Sequence, residues 1–462
     1  MTANNRPEND LTAAASPRNL RIAIAGLGTV GTGVLHLLET NRAIVAARAG
    51  CDIDVVAVSA RERHKDRGVD ISACAWEDDM TALAARDDVD VVVELVGGSD
   101  GPALALSRAA LDGGKGFVTA NKAMIAHHGM ELAERAEATN APMRFEAAVA
   151  GGIPVVKGLR EGASANALAK VYGILNGTCN YVLSKMEATG ADFDDTLEEA
   201  KKLGYAEADP TFDVEGIDAA HKLSILSAIA FGARIDFDAV HVTGISRVRA
   251  ADIAQADALG FVIRLIAQAD VEHADGSGVG DALLQRVRPC LVARGHPLAA
   301  IDGPTNAVVA EGNYSGRLLF QGAGAGDGPT ASAVVADLID IARAFRSGGG
   351  ASREAEAPFS IPVAQLTPMR AAEPGNRMER TYLRFTVRDR PGVLAEITAA
   401  MRDADVSIES LIQQGRKRDG GEVLVAIATH EGPEANVRRA LDLLEGSDSL
   451  TGEPLVLPIL PN

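Results

Sequence analysis

Leu20–Gly31 reads LRIAIAGLGTVG. Leu20–Ala25 is a short apolar run with β-branched isoleucines, bounded by glycine, and has the character of a buried strand. Gly26, Gly28 and Gly31 follow as G-x-G-x-x-G, and a helix-like run then continues to about Asn41. Strand, glycine turn and helix in this order form the context in which the motif binds a dinucleotide. Gly26 permits the tight turn, Gly28 lets a pyrophosphate approach the backbone, and Gly31 lets helix pack on strand. Thr29 and Val30 open the helix, whose free N–H groups would face the anion. A glycine turn with no ligand is the alternative meaning, so the neighbouring stretches matter.

Asp54–Val58 is a second candidate strand, and its end is where an NAD enzyme places an acid for the ribose hydroxyls. Arg61 comes there before any acid, and Arg63 and Lys65 add positive charge, which suits a 2′-phosphate; Glu62 points the other way. NADP is slightly favoured over NAD. Val89–Val96 is another buried strand ending at Gly97, and a helix-like run continues through Leu111. Phe117–Thr119 leads to Asn121-Lys122, with Lys122 on the ligand-binding side of the sheet. His127 and His128 read as loop or surface histidines. Met143–Val149 is the last strand of this lobe. After it, Ala150-Gly151-Gly152-Ile153-Pro154 suggests a chain reversal that exposes carbonyls beside Glu146, oxygens of the kind that hold a hard cation. An ordinary glycine-rich turn is the plainer meaning.

Beyond Pro154 the βαβ cadence loosens into a second, substrate-binding lobe, whose outer strands are expected to supply an oligomer interface. Lys170–Leu175 is strand-like, Asn176-Gly177 marks a turn, and Val182–Ala188 is helical. Gly204–Phe231, GYAEADPTFDVEGIDAAHKLSILSAIAF, carries the chemistry. Asp218 and Lys222 lie four apart, one turn above each other on a helix. A partly buried lysine held by an aspartate is a proton donor; Glu207, Asp209 and Asp213 would grip a cationic amino group. An exposed i,i+4 ion pair is the commoner meaning of that spacing. Gly322, Gly324 and Gly326 precede a helix-like run through Ala344 that returns the chain to the first lobe, closing over the cofactor. Ser347–Gly375 reads as a linker. From Thr381 to Ile459 the order βαββαβ makes a ferredoxin-like module, a binding or regulatory unit without a catalytic cluster.

The expected division is therefore a polar, disordered tail (1–19), a dinucleotide lobe (20–150 plus about 320–345), a catalytic and oligomerisation lobe (151–320), a linker (346–376) and a regulatory module (377–462). The architecture is α/β in the first lobe and α+β in the second. The net charge of −18, from 45 basic and 63 acidic residues, disfavours nucleic acid. Cys51, Cys74, Cys179 and Cys290 are widely spaced, suggesting neither a disulfide framework nor a zinc site. The N-terminal stretch lacks the apolar core of a signal peptide. No apolar run approaches about 18 residues, so no membrane span is expected. A reducing cytoplasm is the expected setting.

With these pieces placed, the chain resembles homoserine dehydrogenase of the long, ACT-domain-bearing form. The motifs are GLGTVG (Gly26–Gly31), VELVGG (Val93–Gly98), TANKAMIA (Thr119–Ala126), EAAVAGGIPV (Glu146–Val155), NGTCNY (Asn176–Tyr181) and GYAEADPTFDVEGIDAAHKL (Gly204–Leu223). DRPGVL and DVSI, from Asp389 and Asp405, resemble an ACT domain. The resemblance implies reversible NAD(P)H-dependent reduction of L-aspartate 4-semialdehyde to L-homoserine, on the way to threonine, methionine and isoleucine. It implies Lys222 as catalytic lysine with Asp218 orienting it, Glu207 and Asp213 as substrate acids, and Lys122 near cofactor and substrate. It implies a monovalent cation, usually sodium, at Glu146, Val149, Gly151 and Ile153. It also implies threonine as feedback effector, with Asp389, Gly392, Val393, Val406 and Ile408 around the effector site, and a homodimer or homotetramer. Cys179 stands where many members carry threonine. The alternatives are a Rossmann dehydrogenase of a related semialdehyde, or a catalytically inactive amino-acid sensor.

Overall fold

The computed structural model describes residues 18–272, 281–347, 356–373, 375, 377–414 and 421–461. The expected disordered tail lies almost wholly outside the described residues.

The glycine-turn strand β1 (Leu20–Ala25) sits in the middle of a parallel sheet with β2 (Ile53–Ser59), β3 (Ala75–Trp76), β4 (Val91–Glu94), β5 (Gly116–Thr119) and β6 (Met143–Arg144). The strand order is β3-β2-β1-β4-β5-β6, so the direction of winding reverses between β1 and β4. Helices α1 (Thr29–Thr40), α2 (Arg42–Ala49), α3 (Ala82–Ala85), α4 (Pro102–Asp112) and α5 (Lys122–Thr139) connect the strands. Ile22, Ala23, Ile24 and Ala25 are all fully buried, as a strand covered on both faces requires. Two expectations for this lobe need correction. The strand at Met143 lasts two residues, and Glu146–Ala148 forms a 3₁₀ turn. There the Glu146 N–H donates to Asp337 Oδ2 at 2.9 Å instead of to a neighbouring strand. His127 and His128 lie on α5 rather than in a loop, with His127 an exposed surface residue and His128 half-buried.

The second lobe contains α6 (Val155–Lys157), β7 (Leu168–Ile174), α7 (Gly177–Thr189), α8 (Phe193–Lys202), α9 (Thr211–Val214), α10 (Ile217–Phe231), β8 (Val240–Val242), α11 (Ala250–Ala258), β9 (Phe261–Glu272), β10 (Ala282–Ala293), β11 (Thr305–Gly312), β12 (Gly316–Ala323) and α12 (Asp327–Ser347). Every residue of α10 from Asp218 to Ile229 is buried. It is a core helix on all sides, which is why the pair four apart is not a solvated one. Asn176-Gly177 is not a turn: Asn176 caps α7, its Oδ1 accepting the Cys179 N–H at 2.8 Å. Helix α12 returns to the first lobe, where Ala331, Val334, Leu338 and Ile341 share a core with Ile22, Ile24 and Val34. The described part of the expected linker is packed, with Phe359 fully buried against Phe145.

The third unit comprises β13 (Arg370–Ala371), β14 (Met378–Arg388), α13 (Val393–Asp403), β15 (Ile408–Gln414), β16 (Glu422–Thr429), β17 (Gly432–Pro433), α14 (Glu434–Leu443) and β18 (Leu455–Ile459). Leaving aside the short β13 and β17, this is the βαββαβ module. It has its own core, in which Phe385, Ile397 and Val425 are buried. The module is not hung on a tether. One mixed sheet runs β12-β11-β7-β9-β10-β18-β14-β16-β15 through both units. Along one edge of β10, β13, β8 and β18 succeed one another, pairing with Ala282–Leu283, Gln285–Val287 and Leu291. A buried ion pair secures the joint: Arg384 Nε donates to Asp252 Oδ1 at 2.8 Å, and the Tyr382 hydroxyl donates to the same oxygen at 3.1 Å. Arg384 is 4% exposed and Asp252 0%.

Removing one partner of such a pair leaves an uncompensated buried charge. Arg384→Ala is expected to destabilise the protein by about 3–5 kcal/mol, measured as a lowered urea midpoint. A midpoint unchanged from wild type would show the joint to be dispensable.

Candidate functional site

The first lobe presents a cradle at the reversal point of its sheet. Gly26 has φ +98°, and a Cβ there would meet Leu95 O at 2.6 Å; a Cβ on Gly31 would meet Gly26 O at 2.0 Å. Both approaches are closed to any larger residue. A Cβ on Gly28 would meet nothing within 4 Å, so this side of the turn is open, and the N-terminus of α1 has no side-chain cap. An open glycine backbone at an uncapped helix start fits a pyrophosphate. Thr29 and Val30 form the first turn of α1. Gly97 (φ +86°) lies across the reversal point in the loop after β4, also facing open space. Buried Glu94 pins that loop: Oε1 accepts the Val96 and Gly97 N–H groups at 2.7 and 3.1 Å, and Oε2 accepts Thr119 Oγ1–H at 2.6 Å. Arg61 is exposed in the loop after β2. Arg67, which sequence reasoning passed over, reaches back from this loop to donate to Leu27 O at 3.2 Å. The second glycine cluster is divided: Gly322 lies inside β12, whereas Gly324 and Gly326 form the passage into α12, Gly324 against Asn306 and Gly151.

The charged residues converge where α5 meets α10. Lys222 Nζ donates to Asp218 Oδ2 at 2.7 Å and to Leu175 O at 2.8 Å, just past β7. Lys122 Nζ, from the first lobe, stands 3.1 Å from Asp218 Oδ1. One buried carboxylate thus lies between two ammoniums from different lobes. Burial alone would push the Asp218 carboxyl up, but Lys222, Lys122 and the hydrogen bonds from Lys222 and Asn176 hold it well below the usual carboxylate range. Asp218, followed by other nearby carboxylates, raises the Lys122 ammonium despite burial. Asp213 is half-buried beside them, its oxygens accepting from Asn176 Nδ2 at 2.8 Å and Thr178 Oγ1 at 3.2 Å. Burial, and then the Asp218 charge, pushes its carboxyl up. Glu207 is exposed nearby. Asp209 is turned away from a shared role: it accepts from Thr211 N and Oγ1 at 3.1 and 2.6 Å in a local turn.

Three contributors escaped sequence reasoning. Asn176 and Thr178 both touch Asp213, and Asn306 Nδ2 donates at 2.9 Å to the same Leu175 carbonyl that holds Lys222. An Asn between a strand and an apolar-periodic run is a capping signal; the Asn-Gly pair hid it. His221, on α10 beside Lys222, lies 3.1 Å from His127 (Nε2 to Nε2) and stacks on Phe237. Burial, and then His127, lowers the His221 imidazole to about 4. Cys179 is a buried helix residue, not part of a turn.

At the Gly151 turn, Ala150 and Gly151 are consecutively left-handed (φ +55° and +50°). The Glu146 carboxylate accepts the Val156 and Lys157 N–H groups at 2.9 and 2.8 Å. Ile153 O accepts the Val155 N–H at 2.7 Å. Burial, and then neighbouring Asp337, pushes the Glu146 carboxyl up to about 7. Asp337 Oδ1 is buried without a hydrogen-bond donor. Burial raises both acids although Lys157 Nζ stands 3.7 Å from Asp337 Oδ1, so the pair already has one cation beside it. Among the described residues no three His, Cys, Asp or Glu side chains are grouped for metal binding.

In the C-terminal module a cavity of about 330 Å³ is lined by Asp389, Gly392 and Val393 together with Arg388, Gln413 and Val425. Val406 and Ile408 do not line it; they pack on the module's core. No described helix is long and apolar enough to cross a membrane.

Because Glu146 titrates higher in the folded protein than its ordinary 4.5, the native state binds this proton more tightly than the unfolded chain. That stabilisation is complete below 4.5 and is lost as pH rises through about 7. In sodium-free buffer the thermal midpoint of wild type is expected to fall more steeply between about pH 5 and about pH 8 than that of Glu146→Gln. Parallel curves would remove Glu146 as the source.

Comparison with known proteins agrees with this fold. Residues 26–146 match the model of the homoserine dehydrogenase NAD-binding domain, residues 154–339 that of homoserine dehydrogenase, and residues 381–445 that of the ACT domain. The chain is 42% identical to homoserine dehydrogenase of Pseudomonas aeruginosa over 94% of its own length and 97% of that protein's. The crystal structure of homoserine dehydrogenase from Thiobacillus denitrificans superposes with a TM-score of 0.87 at 39% identity, covering 96% of this chain and 98% of that one. A hyperthermophilic archaeal homoserine dehydrogenase in complex with NADPH superposes with a TM-score of 0.59 at 26% identity, covering 71% and 98%. A doubly wound lobe with an open glycine turn, a lysine–aspartate–lysine cluster and a C-terminal ACT domain are thus found together in a chain that belongs to the homoserine dehydrogenase family of NAD(P)-dependent oxidoreductases.

Proposed function

We propose that Lys222 is the proton donor in the reversible reduction of L-aspartate 4-semialdehyde to L-homoserine, with Asp218 orienting it. The observation that carries this reading is the count of its hydrogens. An ammonium has three N–H donors, and Lys222 commits two of them, to Asp218 and to Leu175 O. The third is left to meet a carbonyl oxygen as negative charge builds on it, both neutralising that charge and supplying the proton. Bound nicotinamide supplies the hydride. Lys122, tied to Asp218, stands where it would orient the substrate beside the cofactor. Half-buried Asp213 and exposed Glu207 are the acids for the substrate's α-ammonium.

Gly26, Gly28, Thr29, Val30, Gly31, Gly97, Gly324 and Gly326 would hold the cofactor, with Gly322 supporting the last two from β12. The cationic loop Arg61–Arg67 favours NADP, in keeping with the NADPH bound by the archaeal relative. The carbonyls of Val149, Gly151 and Ile153, with Glu146 behind them, would hold a monovalent cation, sodium in our reading. Threonine, by feedback, is the proposed effector at the ACT cavity. Edge strand β12 carries exposed Leu319, and supports a homodimer or homotetramer.

Lys222→Ala is expected to lower homoserine oxidation by about 10²–10⁴-fold while NADPH binding, followed by fluorescence, is retained; undiminished turnover would remove the lysine from the mechanism. Asp389→Ala is expected to abolish inhibition by threonine without altering uninhibited turnover. Persisting inhibition would place the effector elsewhere.

A further inference from the structure

We propose that Asn176 is a positioning residue for this reaction, its amide bridging Asp213 and Asp218 so that the substrate acid and the lysine-orienting acid stand side by side. The inference rests on the reading of Lys222 as proton donor. Asn176 is buried at the start of α7, between the end of β7 and the acids of α9 and α10. Its orientation is settled by its bonds. Oδ1 accepts the Cys179 N–H that caps the helix, so Nδ2 faces the site. One of its two hydrogens goes to Asp213 Oδ1 at 2.8 Å and the other to Asp218 Oδ2 at 2.9 Å. No other neutral side chain of this length offers an acceptor on one side and two donors on the other.

The consequence is electrostatic as well as geometric. Two carboxylates facing each other across a few ångströms resist joint ionisation, and one of them takes up a proton unless donors or cations intervene. Asp218 has the ammoniums of Lys222 and Lys122; among the described residues, Asp213 has only the amide and the Thr178 hydroxyl within hydrogen-bonding distance of its carboxylate. The other titratable groups around the two acids are the buried Cys179 thiol on α7, Glu215 after α9, Glu207 in the preceding loop, and His221 on α10, itself 3.1 Å from His127. Take the amide away, and Asp213 is the acid that gains a proton and releases its grip on a cationic substrate.

Two variants separate the bridge from the cap. Asp and Ser both cap helices about as well as Asn, but neither donates to two carboxylates at once. Asn176→Asp adds a third carboxylate; Asn176→Ser adds no charge and is too short to span both acids. For both variants kcat/KM for homoserine is expected to fall about 100-fold, and the acidic limb of its pH profile to move to higher pH, further for Asn176→Asp, with NADPH affinity unchanged. Should Asn176→Asp fail to fold, Asn176→Ser decides alone. Wild-type kcat/KM and an unmoved acidic limb in Asn176→Ser would overturn the proposal. If Lys222→Ala were also fully active, the failure would lie in the reading of the lysine; an inactive Lys222→Ala beside an unaffected Asn176→Ser would refute the bridge alone.

Discussion

The carboxylate of Asp218 lies between two ammoniums that belong to different lobes. Lys222 reaches it from one turn along the same helix, and Lys122 from the first residue of α5. Taking a carboxylate out of water costs several kcal/mol unless cations and donors replace the lost hydration. Here the replacements are Lys222, Lys122 and the Asn176 amide. Desolvation therefore ties the placement of the dinucleotide lobe to that of α10, and holds Lys222 and Lys122 on one carboxylate. Substitution of Asp218 would release both lysines, so its effect cannot be apportioned to either one.

Around this centre the polar groups are held by backbone as much as by one another. Leu175 O takes both Lys222 Nζ and Asn306 Nδ2, and Gly324 passes so close to Asn306 that a Cβ would meet its amide at 2.2 Å. The segment entering α12 is thereby in register with the lysine. Helix α12 in turn packs on α1, behind the glycine turn. A contiguous path of packed atoms links the glycine turn to the ammonium of Lys222.

Much of this was legible in residue order. The β1 turn, the helix after it and the βαββαβ module are local patterns in which neighbours along the chain decide the conformation. The Asp218–Lys222 spacing was legible too, but its burial was not, because that depends on α5, β7 and β9 arriving from far away in sequence. Asn176 was misread for a related reason: a dipeptide rule favours a turn, whereas the preceding strand and the following periodic run make it a cap. Asp252 and Arg384, 132 positions apart, carry no local mark of their pairing. Strand β6 ended early because Asp337, on α12, captures the Glu146 N–H. At β6 and at the Asp252–Arg384 pair a distant polar group decides the outcome, whereas at Asn176 two local signals competed and the cap prevailed.

The sheet shared by the catalytic lobe and the ACT domain has a consequence for how the polypeptide matures. Strand β10 is completed along one edge by β8, β13 and β18, the last of them emerging from the ribosome well over a hundred residues later. Until then part of a long, apolar edge stands open, the kind of surface on which nascent chains pair with one another. Loop closure over such a span is also slow. The ACT domain is thus a late-arriving cover for the enzyme's own sheet, and excising it for crystallography or biotechnology calls for a substitute lid on β10.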